Sequence, residues 1–186
     1  MYEELCSEKS GFLQLSSHIG NDELAGYELR PPKKMNALVF GGEGAALTEN
    51  RERILGGNNV RLVSISEDMS HLVILNNALA DGEIVNIHGD RVFGSNRTVR
   101  CVVLGAEAEL PLGPFLLASM RSVPAVSVFV MKVGLRKYRV HLFRPDEGLE
   151  GLDVRERAEA MAKAYAGAIT EILKLYPNQW FNFYEF

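Results

Sequence analysis

The sequence has little of what marks disulfide-rich, metal-binding or membrane-spanning proteins. Its two cysteines, Cys6 and Cys101, form neither a CxxC pair nor a metal-ligand spacing, so each is expected to be a buried or free thiol. No apolar run approaches the roughly 18 residues needed to cross a bilayer. The opening residues, MYEELCSEKSG, are acidic and polar and do not fit a signal peptide. The composition is that of a soluble protein, which does not exclude an apolar patch that rests against a membrane.

Several charge patterns and catalytic signatures are also missing. Lys and Arg number 20 against 24 Asp and Glu, and this net charge of −4 does not suggest a surface that neutralises nucleic-acid phosphates. There is no GxSxG, which disfavours a nucleophile-elbow hydrolase, and FGGEGAAL fits neither GxGxxG nor GxxxxGK. His71, His88 and His141 are scattered without metal-ligand spacing, so no metal site is expected.

The chain does contain enough apolar residues for a sizeable core. Its 186 residues at 47% hydrophobic content predict one domain over 1–186. Short β-like runs alternate with helical stretches, which predicts an α/β domain with a mixed, mainly parallel sheet flanked by helices. Strands are predicted over 11–17, 35–42, 60–66, 83–90, 98–105, 125–133 and 137–145. Helices are predicted over 21–29, 45–56, 69–82, 115–122 and 154–175, and 106–114 is predicted to be a loop.

The first candidate for chemistry is the segment SSHIGNDE. His18 follows a predicted strand, where open α/β sheets place their ligands, and Glu23 would lie in the first turn of the next helix. A turn at Gly20 could bring the two side chains together, so that a carboxylate on Nδ1–H leaves Nε2 free to accept a proton. The alternative is a surface histidine beside a helix cap formed by Asn21 or Asp22.

The second candidate is GDRVFGSNRTVR, in which Asp90 and Arg91 follow another predicted strand. A guanidinium group at a strand end can hold a phosphate or carboxylate through two hydrogen bonds. The alternative is an aspartate in a turn with solvated arginines around it.

The third candidate is GAEAELPLGPFLLA. Its glycines and prolines force a shaped loop, and the apolar helix behind the loop could line a channel for an alkyl chain, although ordinary core packing explains it equally well. The residues concerned are Gly105, Leu110, Pro111, Gly113, Pro114 and Phe115. The aromatic tail QWFNFYEF could be a core strand, a docking tail or an interfacial anchor.

Taken in order, these segments resemble the lysophospholipid acyltransferase superfamily, and most closely its lipid A biosynthesis acyltransferase branch. SSHIGNDE looks like that family's HX4(D/E) block, and ADGEIVNIHGDRV resembles the stretch before its short basic motif. LGAEAELPLGPFLLASMRSVPAVSVFV is similar to its glycine- and proline-containing block with the strand that follows. YPNQWFNFYEF is similar to its PxQWFxF signature, so the likeness runs from about residue 11 to the end.

The resemblance implies a glycerolipid-acyltransferase-like fold and transfer of a fatty acyl group from an acyl carrier protein or coenzyme A thioester to a hydroxyl or amine of a lipid or glycolipid. His18 would be the general base, Glu23 would orient it, and Asp90 with Arg91 would hold an anionic group. Gly105 and the residues from Leu110 to Phe115 would shape the acyl channel. No cofactor beyond the donor thioester is implied. The protein would work at the periphery of the cytoplasmic face of the inner membrane.

One departure from the family pattern leaves an alternative open. Family members usually begin with a long region that contains a membrane-anchoring hydrophobic helix, and the sequence has no such region. The chain is then either a short form or a fragment of a longer protein. The alternative function is a non-catalytic subunit that binds acyl chains or a partner acyltransferase.

Overall fold

A computed structural model describes residues 1–22, 24, 31–39, 59–92 and 97–182. Its strands are β1 (Phe12–Ser16), β2 (Met35–Val39), β3 (Val60–Ser64), β4 (Ile84–His88), β5 (Thr98–Val103), β6 (Ala106–Pro111), β7 (Ala125–Gly134) and β8 (Lys137–Phe143). Its helices are α1 (Tyr2–Ser7), α2 (Ser70–Ala80), α3 (Gly113–Arg121) and α4 (Val154–Leu175), followed by a 3₁₀ turn, Pro177–Gln179. The helix predicted over 45–56 and most of the one over 21–29 lie outside the described residues.

Six strands form one sheet in the order β3-β2-β4-β1-β7-β8. The first five are parallel and β8 returns antiparallel beside β7. All five residues of β1, FLQLS, are buried, including the polar Gln14 and Ser16, as expected of a strand that is covered on both faces. The predicted α/β fold with a mainly parallel sheet flanked by helices is confirmed.

Each face of the sheet has its own apolar cluster. On one face α2, α3 and α4 pack over alternate strand residues such as Leu13 and Leu15. On the other face α1 packs over Phe12, against which the ring of Tyr2 lies edge-on. The sequence pattern did not predict α1, a helix of six residues. The hydroxyl of Tyr2 donates to Gln14 Oε1 at 2.7 Å, so α1 depends on a tertiary contact that no local pattern shows.

The segment predicted as a loop over 106–114 is in fact largely a strand. β6 pairs antiparallel with β5 in a separate two-stranded hairpin. Leu104 and Gly105 form its two-residue turn, both with positive φ (52° and 86°). Ala108 and Leu110 are buried and alternate with exposed glutamates, which is the period of a strand that is covered on one face. Proline and glycine at the end of the segment hid this alternation.

The long C-terminal helix α4 has the predicted bounds and the predicted buried face. The Asp153 carboxylate accepts hydrogen bonds from the backbone N–H groups of Arg155 and Glu156. The Glu156 carboxylate in turn accepts the backbone N–H of Asp153, which completes a capping box. The predicted apolar positions are all buried: Ala158, Met161, Ala162, Tyr165, Ala168, Ile169, Ile172 and Leu173. Among the described helices, none is both long and apolar enough to span a membrane.

Candidate active site

The candidate site lies where the chain leaves the two central strands β1 and β4. These strands are parallel neighbours, with Ser16 beside His88 in register, so both end at the same edge of the sheet. From β1 the chain runs to β2 on one side, whereas from β4 it runs on to β7, on the other side of β1. The residues that follow the carboxyl ends of parallel strands are where open α/β sheets bind ligands. His18 and Asp90 each lie two residues beyond a strand end.

His18 is held by Asp90. The carboxylate oxygens of Asp90 lie 3.0 and 3.1 Å from His18 Nδ1, and Oδ2 also accepts the backbone N–H of His18 at 2.8 Å. Asp90 is 2% exposed, whereas the His18 side chain is 31% exposed. Because an ionised carboxylate can only accept, this arrangement favours the neutral tautomer with the proton on Nδ1. In the part of the chain that the structure describes, no group bonds to Nε2, which is left with a lone pair.

The backbone around this pair is braced from below by α4. The hydroxyl of Tyr165 donates to the carbonyl of Ser16 at 2.6 Å, and the same oxygen accepts the N–H of Gly89 at 3.0 Å. A Cβ on Gly89 would lie 2.9 Å from Cε1 of Tyr165, so only glycine permits this close approach. Burial raises the pKa of Tyr165 well above its ordinary range, and the charge of Asp90 acts in the same direction. The hydroxyl therefore keeps its proton and remains a donor.

A second histidine–aspartate pair lies against the first. His88 Nε2 is 2.8 Å from Asp22 Oδ2, and the His88 and His18 rings lie 4.6 Å apart with 32° between their planes. Both side chains of this second pair are partly exposed, at 30% and 36%. Burial raises the pKa of Asp22, but the hydrogen bond and charge of His88 and the charge of His18 outweigh it and leave the pKa below its ordinary value. The sequence pattern assigned His88 no role and considered Asp22 only as a helix cap.

The described part of the aromatic C-terminal segment, residues 179–182, contacts the loop that carries His18. Its carboxamide residue, Gln179, accepts from the N–H of Lys132 and donates to the carbonyl of the same residue, both at 2.9 Å. The backbone carbonyl of Gln179 accepts the N–H of Gly20, and the N–H of Phe181 donates to the carbonyl of His18. Of the three interpretations of the tail, this is closest to a docking tail, and it docks on the candidate site of its own chain.

The sequence also predicted roles at this site for Arg91, Glu23 and Asp90. Arg91 follows Asp90 in the chain and donates from Nη2 to the carbonyl of Phe181 at 2.7 Å. Glu23 lies outside the described residues. The hydrogen bond that the sequence assigned to Glu23, a carboxylate on Nδ1 of His18, is made by Asp90, which the sequence had grouped with Arg91 as a substrate ligand. Because Asp90 is buried behind the imidazole, its described contacts are with His18 and not with an open surface.

The capping alternative for SSHIGNDE is also partly present. Asn21 Oδ1 accepts the backbone N–H of Leu24 at 3.1 Å, as a cap does. The same turn places Gly20 at a positive φ of 76°, and a Cβ there would overlap the carbonyl oxygen of Val130. Capping and the orientation of His18 are therefore compatible in one turn.

The predicted acyl-channel residues lie in the β5–β6 hairpin and at the start of α3. Gly105 is at the tip of the hairpin, where Leu104 N–H donates to Thr170 of α4. Pro111 ends β6, and the pair Gly113-Pro114 opens α3. Leu110 and Phe115 are completely buried, and the Phe115 ring lies 5.8 Å from that of Tyr165. Leu110 and Phe115 therefore form core behind the candidate site, with Tyr165 between Phe115 and the Ser16 carbonyl.

No cluster of three or more metal-ligating side chains occurs among the described residues. Comparison with known proteins leaves the family open, since no family model and no curated protein matches the chain. Among solved structures, the chain is similar to the pilus retraction motor PilT with bound ADP, at 11% identity and a TM-score of 0.40. That alignment covers 96% of this chain and 61% of the motor, so the chain spans less than two-thirds of the motor's length. A likeness of this size says nothing about the reaction.

Proposed function

We propose that the protein is an acyltransferase that moves a fatty acyl group from an acyl carrier protein or coenzyme A thioester to a hydroxyl or amine of a lipid or glycolipid. The observation that carries the proposal is the His18–Asp90 pair, which stands at the carboxyl edge of the two central strands with Nε2 unbonded among the described residues. The order of the four sequence blocks selects acyl transfer among the reactions that such a pair could catalyse.

In the proposed reaction, His18 Nε2 accepts the proton of the acceptor O–H or N–H as that atom attacks the thioester carbonyl. The resulting tetrahedral intermediate collapses by breaking the carbon–sulfur bond. The departing thiolate then takes the proton from His18, which restores the neutral imidazole. Asp90 holds the ring in one tautomer and stabilises its charged form during the step, and no covalent enzyme intermediate is required.

The proposal also assigns a role to Arg91 and a location at the membrane. Arg91, which follows Asp90 in the chain, is proposed to hold an anionic group of the donor or acceptor through its guanidinium. The lipid acceptor implies a protein that works at the periphery of a membrane, on the cytoplasmic side of the inner membrane if the resemblance holds. Glu23 stays in the proposal as the carboxylate of the family block. Whether Glu23 or Asp90 orients the His18 ring is decided by comparing variants of the two residues.

The test is a transfer assay with labelled acyl carrier protein or acyl-coenzyme A and a membrane lipid extract. The variants are His18→Gln, Asp90→Asn and Glu23→Gln, with His141→Gln as a matched control, since His141 lies on β8 and contacts Tyr176. We expect labelled lipid from the native protein and the control, and a loss of about 10²–10⁴-fold in His18→Gln. A loss in Asp90→Asn but not in Glu23→Gln would assign the orienting carboxylate to Asp90.

Three results would contradict the proposal. Equal background in all proteins would exclude catalysis by His18 and favour an acyl-binding or partner subunit. Release of free fatty acid without labelled lipid would indicate transfer to water. Labelled lipid that His18→Gln makes at the native rate would show that another residue is the base.

A further inference from the structure

We propose that the tip of the β7–β8 hairpin, residues 132–140, is a docking surface for an anionic membrane. We refer to this segment, KVGLRKYRV, as the basic hairpin. The inference deepens the proposed function, on which the membrane's role as source of the acceptor rests. Binding to the membrane itself can be measured without any acyl donor.

The charge of the basic hairpin is opposite to that of the rest of the protein. Its nine residues contain four cations and no acidic residue, within a chain whose net charge is −4. The four cations are exposed, and no ion pair joins any of them to a carboxylate in the described part of the chain: Lys132, Arg136, Lys137 and Arg139. Each Lys or Arg near an anionic bilayer attracts it by about 1 kcal/mol.

The same hairpin exposes apolar side chains where a soluble loop would normally be polar. Leu135, in the two-residue turn, is 90% exposed, and Val133 and Tyr138 on either side of it are 42% and 40% exposed. A single exposed leucine means little. An aliphatic tip, a flanking tyrosine and a ring of cations together are the composition that binds at the interface between lipid headgroups and acyl chains.

The position of the hairpin connects it to the candidate site. β7 runs parallel to β1, so it ends at the same edge of the sheet as the strand that leads to His18. The carbonyl of Val130 accepts the N–H of Asn21 at 2.8 Å, and Lys132 is held by Gln179. A membrane bound to the basic hairpin would therefore lie at the edge of the sheet where His18 stands.

An acidic protein such as an acyl carrier protein would also be attracted to four cations. The apolar tip favours the membrane, because a fully exposed leucine gains most by insertion below the headgroups. A protein partner would instead have to cover the same leucine with a flat or concave surface of its own.

The experiment is co-sedimentation of the full chain with phosphatidylcholine vesicles, with and without phosphatidylglycerol. We expect binding to the anionic vesicles only, and weaker binding as the salt concentration rises. The double variant Arg136→Glu/Lys137→Glu should bind at least about tenfold more weakly, and Leu135→Ser should bind less at every salt concentration. The matched control is Lys163→Glu/Lys174→Glu, which makes the same charge change on exposed positions of α4 and should bind like the native protein.

Circular dichroism and thermal unfolding establish that every variant is folded before it is compared. Equal binding by the native protein and the hairpin variant would overturn the proposal. So would the absence of binding to anionic vesicles. Saturable binding to purified acyl carrier protein that the hairpin variant loses, without vesicle binding, would assign the surface to an acidic protein. Because none of these measurements uses an acyl thioester or records acyl transfer, their failure is distinguishable from failure of acyl transfer.

Discussion

Two histidine–aspartate pairs lie side by side at the carboxyl edge of the sheet, and they differ chiefly in the burial of their carboxylates. Asp90 is 2% exposed and makes three contacts with His18, one of them to its backbone. Asp22 is 36% exposed and contacts His88 through one oxygen. A buried carboxylate that makes several hydrogen bonds to its histidine allows that ring one geometry, whereas an exposed carboxylate with a single hydrogen bond allows many.

This difference in burial suggests a division of roles between the two rings. His18 is preorganised, because its tautomer and orientation are fixed before any substrate binds. His88, whose ring lies 4.6 Å from that of His18, limits the space on one side and can adjust to what binds there. The following predictions test the division from its largest expected effect to its smallest.

The largest expected effect separates the two histidines in turnover. His18→Gln should lower acyl transfer by about 10²–10⁴-fold, because it removes the proposed base. His88→Gln should lower transfer by less than about tenfold, because the ring only neighbours the base. Initial rates at saturating donor measure both. A larger loss in His88→Gln than in His18→Gln would reverse the assignment of the two pairs.

The two aspartates should differ in the free energy of unfolding. Asp90→Asn places an amide N–H₂ where His18 requires acceptors, and at a buried site such a mismatch costs about 1–3 kcal/mol. Asp22→Asn should cost less than about 1 kcal/mol, because exposed ion pairs contribute little. Urea unfolding at neutral pH measures the difference. Equal losses in the two variants would show that burial does not distinguish the pairs.

Gln179 should act on the first pair alone. Its side chain fixes the C-terminal segment to the backbone of Lys132 on β7, which positions its own backbone carbonyl to accept the N–H of Gly20 in the loop that carries His18. Gln179 has no described contact with His88 or Asp22. We expect Gln179→Ala to lower kcat by about tenfold at little change in KM, because a small displacement of the base is costly. Gln179→Glu keeps only the accepting half of the contact and should restore part of kcat.

Urea unfolding distinguishes positioning from a general loss of structure. A displaced base should lower kcat in Gln179→Ala at an unchanged midpoint of unfolding, and Gln179→Glu should restore part of kcat. A fall in kcat that comes with a lower midpoint and is not restored by Gln179→Glu would make Gln179 a residue of stability and not of positioning.

The smallest expected effect concerns stability in acid. The pKa of Asp22 is lower in the folded chain than its ordinary value of 3.8, so the folded state binds its proton less readily than the unfolded state does. The resulting stabilisation is present above pH 3.8 and is lost as the pH falls through the lower folded value. Because Asp22→Asn lacks this carboxyl, its free energy of unfolding should fall less than that of the native protein as the pH is lowered through this range. A parallel acid limb in Asp22→Asn and the native protein would contradict the prediction.

Local patterns predicted the parts of the molecule that depend on neighbours along the chain. The strand β1, the antiparallel pair β7 and β8, and α4 with its buried face follow from runs and periods that the sequence displays. The strand β5 was predicted, but β6 and its pairing with β5 were missed because proline and glycine near Leu110 hid an alternation of period two. The helix α1 was missed because it is short and depends on Tyr2 reaching Gln14.

The candidate site shows the same limit. Its histidine was found, since His18 follows a strand within a recognisable block, but its partner was sought five residues away at Glu23 and lies 72 residues away at Asp90. The sequence did contain a signal for this pair, because SSH and HGD each stand at the end of a run that is predicted to be a strand. It could not be used without the strand order, which no local pattern contains.

The sequence by itself determined most of the strands and helices, with β6 and α1 as the exceptions, and that a histidine and a carboxylate stand just beyond strand ends. Burial of apolar side chains with period two or 3.6 is a local property, so it can be read along the chain. Only the tertiary structure decided that β4 lies beside β1, so that Asp90 is buried under His18 and His88 against its ring. Strand order depends on the packing of the whole sheet, because it is the sum of many contacts between residues far apart in the chain.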